Sequence, residues 1–323
     1  MIKKILCIVG CLLGATLQLA AQTIDSLYKE KYRHLYHFSP KEGWIGDPCG
    51  FIHYQNKYQM FWWGKVESQD LVHYQEITPF VMTGENIDMS YFTGSVAIDK
   101  HNTAGFGKDV YVAAYTIFEK ETKKQMQGIS FSHDGKTFQY YENNPVLDIG
   151  STEFRDPTIF YYKPTKRWIM VVAKALEKKV KIYSSPDLKH WEWESDFGPY
   201  GDQEKSWECP DLFQLSVDGD WNDKKWVMVV SVNWAKEQYF IGDFDGKEFR
   251  LIDNHPQEPL YVDKGMDYYA SRTFRDYDFT LTTTTTMGWV ATWDYAQLVP
   301  STFGKGFWSI HRNLHLKSYP EGL

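Results

Sequence analysis

Three acidic residues, each followed within two positions by a proline, are the side chains of this sequence best suited to do chemistry. Asp47 lies in Trp-Ile-Gly-Asp-Pro, Asp156 in Phe-Arg-Asp-Pro and Glu208 in Trp-Glu-Cys-Pro. A proline fixes its own backbone and pushes the residue before it into an extended conformation. We therefore expect the acids at defined positions near strand ends. Carboxylates act as nucleophiles and as general acids or bases. These three are 109 and 52 residues apart, so they act together only if the fold brings them together.

A self-similar turn recurs along the chain and indicates how the fold does so. An aspartate is followed four positions later by an aromatic residue at Asp70–Tyr74, Asp134–Phe138, Asp187–Trp191 and, more weakly, Asp245–Phe249. The aspartate bonds its own backbone to start a turn, and the aromatic residue packs the hairpin onto its sheet. Intervals of 64, 53 and 58 residues fit radial four-stranded sheets. With a further blade length over residues 265–316, the sequence predicts an all-β fold, a five-bladed β-propeller.

The strands between the turns agree with this fold class. Runs rich in Val, Ile, Tyr, Phe and Trp, typical of strands, occupy residues 57–63, 110–118, 168–173, 180–184 and 225–232. The acids fall 23, 31 and 37 residues before their own turns, early in blades one, three and four. Early strands of a blade line the central channel, so we expect the acids to converge at one end of the axis. We also expect a short helix near residues 23–33 and an exposed or half-buried strand over residues 282–286.

The first 22 residues predict export. Two lysines precede an apolar run over residues 5–21 that ends in small residues, the pattern of a signal peptide. A membrane anchor is the alternative, but the run is barely long enough to span. A lipoprotein signal at Cys11 is a weaker alternative, because almost no apolar region precedes it. We therefore expect a mature domain over residues 23–323, periplasmic or extracellular, with no membrane span after processing.

Charge and composition exclude several functions. The formal net charge of −7, less the two signal-peptide lysines, leaves −9 with no basic block, which disfavours nucleic acid and anionic membranes as partners. The histidines lack ligand-like spacing, so we expect no metal site. Cys49 and Cys209 could form a single bridge, although we expect two free thiols. Aromatic residues make up 17% of the chain, which fits stacking on sugars or a β-rich core.

The motifs resemble glycoside hydrolase family 32, the invertases, levanases and inulinases. The family pattern W-x-N-D-P-N-G corresponds to residues 44–50, and its R-D-P and E-C-P motifs are intact at residues 155–157 and 208–210. Further matches extend, in order, over about residues 35–316. The resemblance implies a retaining glycosidase that acts on fructose-containing oligo- or polysaccharides without a cofactor. It also implies that Asp47 is the nucleophile, Glu208 the general acid/base and Asp156 a transition-state stabiliser.

The resemblance also implies a substrate-binding shell around the acids. Its expected members are Trp44, Trp63, Phe92, Thr93, Arg155 and Trp293. The aromatic residues would form apolar walls, and Arg155 would orient an acid or a sugar hydroxyl. A general acid must carry a proton before it acts, and we expect Trp207 and the other carboxylates to raise the pKa of Glu208.

The sequence departs from the family pattern at several positions. Gly46 and Cys49 stand where the family has Asn, Lys65 replaces a His, and the segment before Trp63 is short. Several polar contacts to a fructosyl ring are therefore expected to be missing. The chain ends at Leu323 without the family's usual C-terminal β-sandwich, so we expect an isolated propeller or a truncated reading frame, with apolar surface that favours an oligomer.

Two alternatives to a fructan hydrolase remain. The same three acids could hydrolyse another furanoside, because the missing Asn and Gln contacts relax selectivity for fructose. The chain could also be a catalytically silent sugar-binding propeller.

Overall fold

The computed structural model describes residues 29–84, 88–301, 304–320 and 322–323. The predicted signal peptide lies outside these residues. The described part of the chain contains strands, two short 3-10 turns (Ala175–Glu177 and Ala296–Leu298) and no α-helix. Of the predicted helix near residues 23–33, residues 23–28 are not described. Residues 29–33 form a turn, in which the Arg33 N–H donates to the Glu30 carbonyl at 3.0 Å, so the helix prediction is wrong there.

The strands form five blades, as the turn repeat predicted. Blade one contains β2 (Phe51–His53), β3 (Tyr58–Phe61), β4 (Lys65–Ser68) and β5 (Tyr74–Glu76), after the short β1 (Gly43–Trp44). Blade two contains β6 (Val81–Met82), β7 (Met89–Asp99), β8 (Val110–Glu119), β9 (Gln125–Ser132) and β10 (Thr137–Tyr140). Blade three contains β11 (Phe154–Tyr162), β12 (Arg167–Lys174), β13 (Lys179–Ser185) and β14 (Glu192–Phe197).

Blades four and five complete the ring. Blade four contains β15 (Trp207–Val217), β16 (Asp220–Val232), β17 (Lys236–Phe244), β18 (Phe249–Leu251) and β19 (Leu260–Tyr261). Blade five contains β20 (Tyr269–Asp276), β21 (Thr284–Trp289) and β23 (Arg312–Leu314), while β22 (Gly304–Lys305) pairs with β1. The inner strands of blades five and one, β20 and β2, pair in parallel. This pairing joins the first and last blades through backbone hydrogen bonds.

The repeated turns have the predicted structure. The Asp70 carboxylate accepts the N–H groups of Val72 and His73 at 2.9 and 2.8 Å. Asp134, Asp187 and Asp245 make the same pair of bonds to residues two and three positions on. Five apolar clusters fill the spaces between neighbouring blades. Burial of apolar surface between blades therefore holds the ring together.

Each long inner strand is interrupted by a bulge near its beginning. Pairing with the second strand of the blade breaks between Tyr91 and Gly94 in β7, between Arg155 and Thr158 in β11, between Glu208 and Asp211 in β15, and between Tyr269 and Arg272 in β20. A bulge leaves residues unpaired and changes the direction of their side chains. The four bulges occupy equivalent positions, so they face the same end of the central axis.

The predicted strand over residues 282–286 exists in shorter form. β21 begins at Thr284, which is half-buried, whereas Thr285 and Thr286 are buried. Thr282 is exposed and precedes the strand.

Candidate active site

A cavity of about 570 Å³ lies where the bulges meet. It is lined by all nine residues predicted for the site, namely Trp44, Asp47, Trp63, Phe92, Thr93, Arg155, Asp156, Glu208 and Trp293. Asp156 lies on β11 and Glu208 on β15, both inner strands, and Asp47 lies four residues before β2. The fold therefore brings the three acids together as the turn spacing predicted, while their chemical roles stay predictions.

Asp47 is half-buried, and only one of its two carboxylate oxygens has a hydrogen-bond partner. Its Oδ2 accepts a hydrogen bond of 2.9 Å from the Thr93 hydroxyl, while the buried Oδ1 has no hydrogen-bond partner. Burial, followed by the charges of Asp156 and Glu208, raises the pKa of Asp47 to about 7. A lone carboxylate oxygen in a desolvated site has unshared electron pairs for attack on an electrophile.

Asp156 occupies the bulge of β11 with a left-handed backbone. Its φ is +65°, and its N–H donates to Thr116 Oγ1 at 2.9 Å. The Asp156 Oδ2 accepts the Cys209 N–H at 3.1 Å. Burial and the charge of Glu208 raise the pKa of Asp156 to about 6, against an opposing effect of Arg155. The bulge thus directs a carboxylate into the cavity, and the two bonds tie the residue to Thr116 of blade two and Cys209 of blade four.

Glu208 is held by donors on both of its oxygens. Arg155 donates to Oε1 from Nε at 3.0 Å and from Nη2 at 2.8 Å, and the Tyr269 hydroxyl donates to Oε2. Arg155 is itself positioned by Glu153 at 2.6 Å and Gln125 at 3.2 Å. The expectation that Arg155 orients an acid therefore matches the geometry.

The prediction that the Trp207 side chain helps to bury the Glu208 carboxyl group is wrong. Trp207 does not line the cavity; it is fully buried in the apolar cluster between blades three and four and lies near Phe197 and Phe240. Adjacent residues of a strand point to opposite faces, so the side chain next to Glu208 in sequence faces away from it. Burial and neighbouring charge raise the pKa values of Asp47 and Asp156.

Aromatic side chains form the walls of the cavity. The rings of Trp44 and Trp293 stack with centroids 5.9 Å apart, and Phe92 stacks on Phe118 at 4.9 Å. The Trp63 indole N–H donates to the Phe92 carbonyl at 3.1 Å. Large aromatic faces around the three carboxylates suit a ligand with apolar C–H faces and polar hydroxyls.

A comparison with protein families matches residues 37–322 to the N-terminal domain of glycosyl hydrolases family 32. The chain belongs to glycoside hydrolase family 32. It is 39% identical over 333 residues to the levanase of Bacillus subtilis (strain 168), a match that covers 95% of this chain and 48% of that protein. It is 36% identical over 315 residues to invertase 1 of Saccharomyces cerevisiae, covering 88% of this chain and 58% of the invertase.

Solved structures of family 32 enzymes share the fold. The exo-inulinase from Aspergillus awamori aligns with a TM-score of 0.82 and 31% identity over 91% of this chain and 66% of its own. A variant of the fructofuranosidase from Schwanniomyces occidentalis, complexed with fructosylnystose, aligns with a TM-score of 0.79 and 33% identity over 92% of this chain and 62% of its own. The chain spans about half of the levanase and less than two thirds of the invertase.

The departures from the family 32 pattern divide into two groups. Gly46 and Cys49 line the cavity, and a Cβ added at Gly46 would lie 3.0 Å from the Trp44 indole nitrogen. Lys65 is buried elsewhere, paired with Glu67 at 2.9 Å, and does not line the cavity. The replacements at Gly46 and Cys49 therefore lie at the site, whereas the replacement at Lys65 does not. Cys49 and Cys209 are free buried thiols, as expected.

Several residues of the site were not predicted. Tyr269 and Arg272 belong to a segment that matched the family pattern but carried no assigned role, and Gln125 and Glu153 had no sequence signal. Arg272 is 2% exposed and donates to the Cys209 carbonyl at 2.6 Å. Its buried charge lowers the pKa values of Asp47 and Asp156 and so partly offsets their burial.

Two further observations concern partners. In the described residues, no group of three or more His, Cys, Asp or Glu side chains is arranged to hold a metal ion. Within the same part of the chain, no helix is long and apolar enough to cross a membrane.

Proposed function

We propose that this chain is the propeller of an exported retaining glycosidase that cleaves terminal or internal fructosyl linkages of sucrose or fructans. The observation that carries the proposal is the pairing of two differently held carboxylates in one cavity. Asp47 presents an oxygen without a hydrogen-bond partner, and Glu208 is oriented by Arg155 and Tyr269. Relatives named levanase, invertase and exo-inulinase support the fructosyl substrate.

The proposed reaction has two steps, as in retaining glycosidases generally. In the first, the Asp47 carboxylate forms a bond to the anomeric carbon as the glycosidic C–O bond breaks, and Glu208 gives its proton to the departing oxygen. In the second, Glu208 takes a proton from water, whose oxygen attacks the same carbon and releases Asp47. Asp156 would accept hydrogen bonds from ring hydroxyls and stabilise positive charge in both transition states.

A product profile on sucrose, inulin and levan tests the proposal. We expect release of fructose or short fructans with retained anomeric configuration, measured by NMR in the first minutes of reaction. Terminal release would give only fructose, and internal cleavage would give oligosaccharides. Products of inverted configuration would contradict the nucleophilic role of Asp47.

Hydrolysis of another furanoside is favoured by one observation, the placement of Gly46 and Cys49 on the cavity wall. Neither side chain offers the amide that the family pattern carries there, and a lost hydrogen bond costs about 1 kcal/mol. A panel of aryl furanosides separates the two substrates. Faster cleavage of an arabinofuranoside than of the fructofuranoside would favour this second candidate.

A silent sugar-binding propeller is the third candidate. Titration calorimetry with inulin, together with the product assay, tests it. Binding with no product after prolonged incubation would favour a binder and contradict the hydrolase.

We further propose that residues 1–22 are removed on export and that residues 23–323 form the mature domain. The basic, apolar and small-residue regions of the first 22 residues support this, and one relative is named an extracellular exo-inulinase. Mass spectrometry of the exported protein should give an N-terminus near Thr23. An intact Met1 would contradict cleavage.

A further inference from the structure

Tyr269 reaches Glu208 from a strand whose hydrogen-bond ladder is interrupted. β20 pairs with β21 at Tyr269 and next at Arg272, so the N–H groups of Ala270 and Ser271 have no ladder partner. Ala270 also has a left-handed backbone, with φ at +51°. A buried N–H that is left unpaired costs about 1–3 kcal/mol, so this bulge needs acceptors from outside its own blade.

Ser231 and Glu237 of blade four supply those acceptors. The Ala270 N–H donates to Ser231 Oγ at 3.0 Å and the Ser271 N–H to Glu237 Oε1 at 2.9 Å. The Ser231 hydroxyl donates to the same Oε1 at 2.6 Å, and both side chains are fully buried. In the strand register Glu208 pairs with Ser231, which pairs with Glu237. One row of blade four thus contains the acid and the pair that holds the Tyr269 segment.

The same arrangement recurs in blade two. There the bulged Asp156 donates its N–H to Thr116 Oγ1 at 2.9 Å, and the Thr116 hydroxyl donates to Gln127 Oε1 at 2.9 Å. Thr116 and Gln127 are register partners on the second and third strands of blade two, as Ser231 and Glu237 are in blade four. In both cases a buried hydroxyl and its acceptor hold a left-handed residue on the inner strand of the next blade.

We propose that Ser231 and Glu237 are positioning residues that act through Tyr269 on Glu208; this rests on the proposed role of Glu208 as acid/base. Without the pair, the bulge loses two acceptors, the Tyr269 hydroxyl shifts, and Glu208 loses one of its three donors. The pair is costly for stability, because Glu237 Oε2 is buried without a partner. A buried polar atom of this kind destabilises a fold, which agrees with a role in function.

The proposal is tested by how far kcat/KM of each variant depends on the leaving group of the substrate. An alkoxide leaving group, as in sucrose, needs a proton from the acid, whereas 4-nitrophenolate leaves without one. We expect Glu237→Ala and Ser231→Ala to lower kcat/KM on sucrose at least about 10-fold and on 4-nitrophenyl β-fructofuranoside less than about 3-fold. Equal losses on both substrates would show a purely structural role and overturn the proposal, as would no loss on sucrose.

Three matched variants sharpen the result. Glu237→Gln keeps the Oε1 acceptor, as Gln127 does in blade two, and should recover most of the sucrose activity. In a Tyr269→Phe background, Glu237→Ala should cause little further loss, because both changes remove one contact. Glu194→Ala is the control. It removes a carboxylate that accepts a similar bond of 2.6 Å from the Ser184 hydroxyl on the outer strands of blade three, away from the cavity. This variant should leave the ratio of kcat/KM on sucrose to kcat/KM on the 4-nitrophenyl substrate unchanged. Additive losses or no recovery would contradict the inference.

Crystal structures separate failure of this inference from failure of the proposed function. The Glu237→Ala variant should show the Tyr269 hydroxyl beyond hydrogen-bond distance of Glu208. An unchanged contact overturns the inference whatever the activity. A wild-type chain that cleaves neither substrate overturns the proposed function, and the crystal comparison still decides the role of Glu237.

Discussion

Arg155 donates two hydrogen bonds to a single oxygen of Glu208, at 3.0 Å from Nε and 2.8 Å from Nη2. The two residues come from the inner strands of neighbouring blades and from equivalent bulges. A planar fork of donors fixes both the position and the orientation of a carboxylate. The contact therefore gives Glu208 a defined direction within the cavity before any ligand arrives.

Replacement of Arg155 by lysine should lower kcat about 10- to 100-fold, because a single ammonium group cannot supply both donors and small misplacements of a catalytic group are costly. Steady-state kinetics on sucrose measures the effect. Arg167→Lys is the control, since Arg167 also has two partners, Ser184 and Glu192, but lies away from the cavity. A similar kcat for Arg155→Lys and wild type would contradict the orienting role.

Asp47→Asn should stabilise the protein at neutral and alkaline pH. The pKa of Asp47 is about 7 in the folded chain, raised by burial and by Asp156 and Glu208 from an ordinary value of 3.8. Between these values the folded protein retains a proton that the unfolded chain releases, so the free energy of unfolding falls as the pH rises from 3.8 to about 7. The variant lacks this charge and should gain about 2 kcal/mol at about pH 8 and little at about pH 4.

Urea unfolding at the two pH values measures this difference. Asp243→Asn is the control, because Asp243 is exposed and pairs with Lys225 on the surface of blade four. A stability gain for Asp47→Asn that is equal at both pH values would contradict a raised pKa of Asp47.

Trp293→Ala should weaken binding more than it slows the reaction. Trp293 stacks on Trp44 at the edge of the cavity, where an aromatic face contributes about 1 kcal/mol to contact with a sugar. We expect KM to rise about 5- to 10-fold with kcat within about 2-fold of wild type. Trp193→Ala provides the control, since Trp193 is 60% exposed on an outer strand of blade three and does not line the cavity. An unchanged KM would remove Trp293 from the binding wall.

Lys65→Met should destabilise the fold without changing the reaction. Lys65 is 2% exposed and pairs with Glu67, which also bonds Lys57. Loss of one partner of a buried ion pair destabilises a fold. Because Lys57 still pairs with Glu67, we expect the free energy of unfolding to fall by only about 2 kcal/mol. Chemical denaturation and steady-state kinetics together decide the point. A raised KM with unchanged stability would place Lys65 in the substrate site.

The propeller architecture could be predicted from the sequence because the turn motif that marks its blades depends on residues close together in the chain. Four of the five blades have a turn in which an aspartate bonds backbone groups two and three residues away, and such bonds depend only on neighbouring residues. The placement of Asp156 and Glu208 on inner strands followed from the same spacing. The parallel pairing of β2 with β20 could not be predicted, because it joins segments at opposite ends of the chain.

Apart from Arg155, the partners of the acids could not be predicted from the sequence, because they depend on bulges and on contacts between blades. Tyr269 is 61 residues from Glu208, and no local pattern marks a residue whose direction is set by a bulge. The error over Trp207 has the same origin, since only the strand geometry decides which of two adjacent side chains faces the cavity.

The rate of fructose release from sucrose, inulin and levan by wild type, Asp47→Asn and Glu208→Gln tests the central claim most directly. A nucleophile and an acid/base that act in one cavity predict measurable release by the wild type and a loss of at least about 10³-fold in each variant. Wild-type release no faster than that of the two variants would contradict the claim.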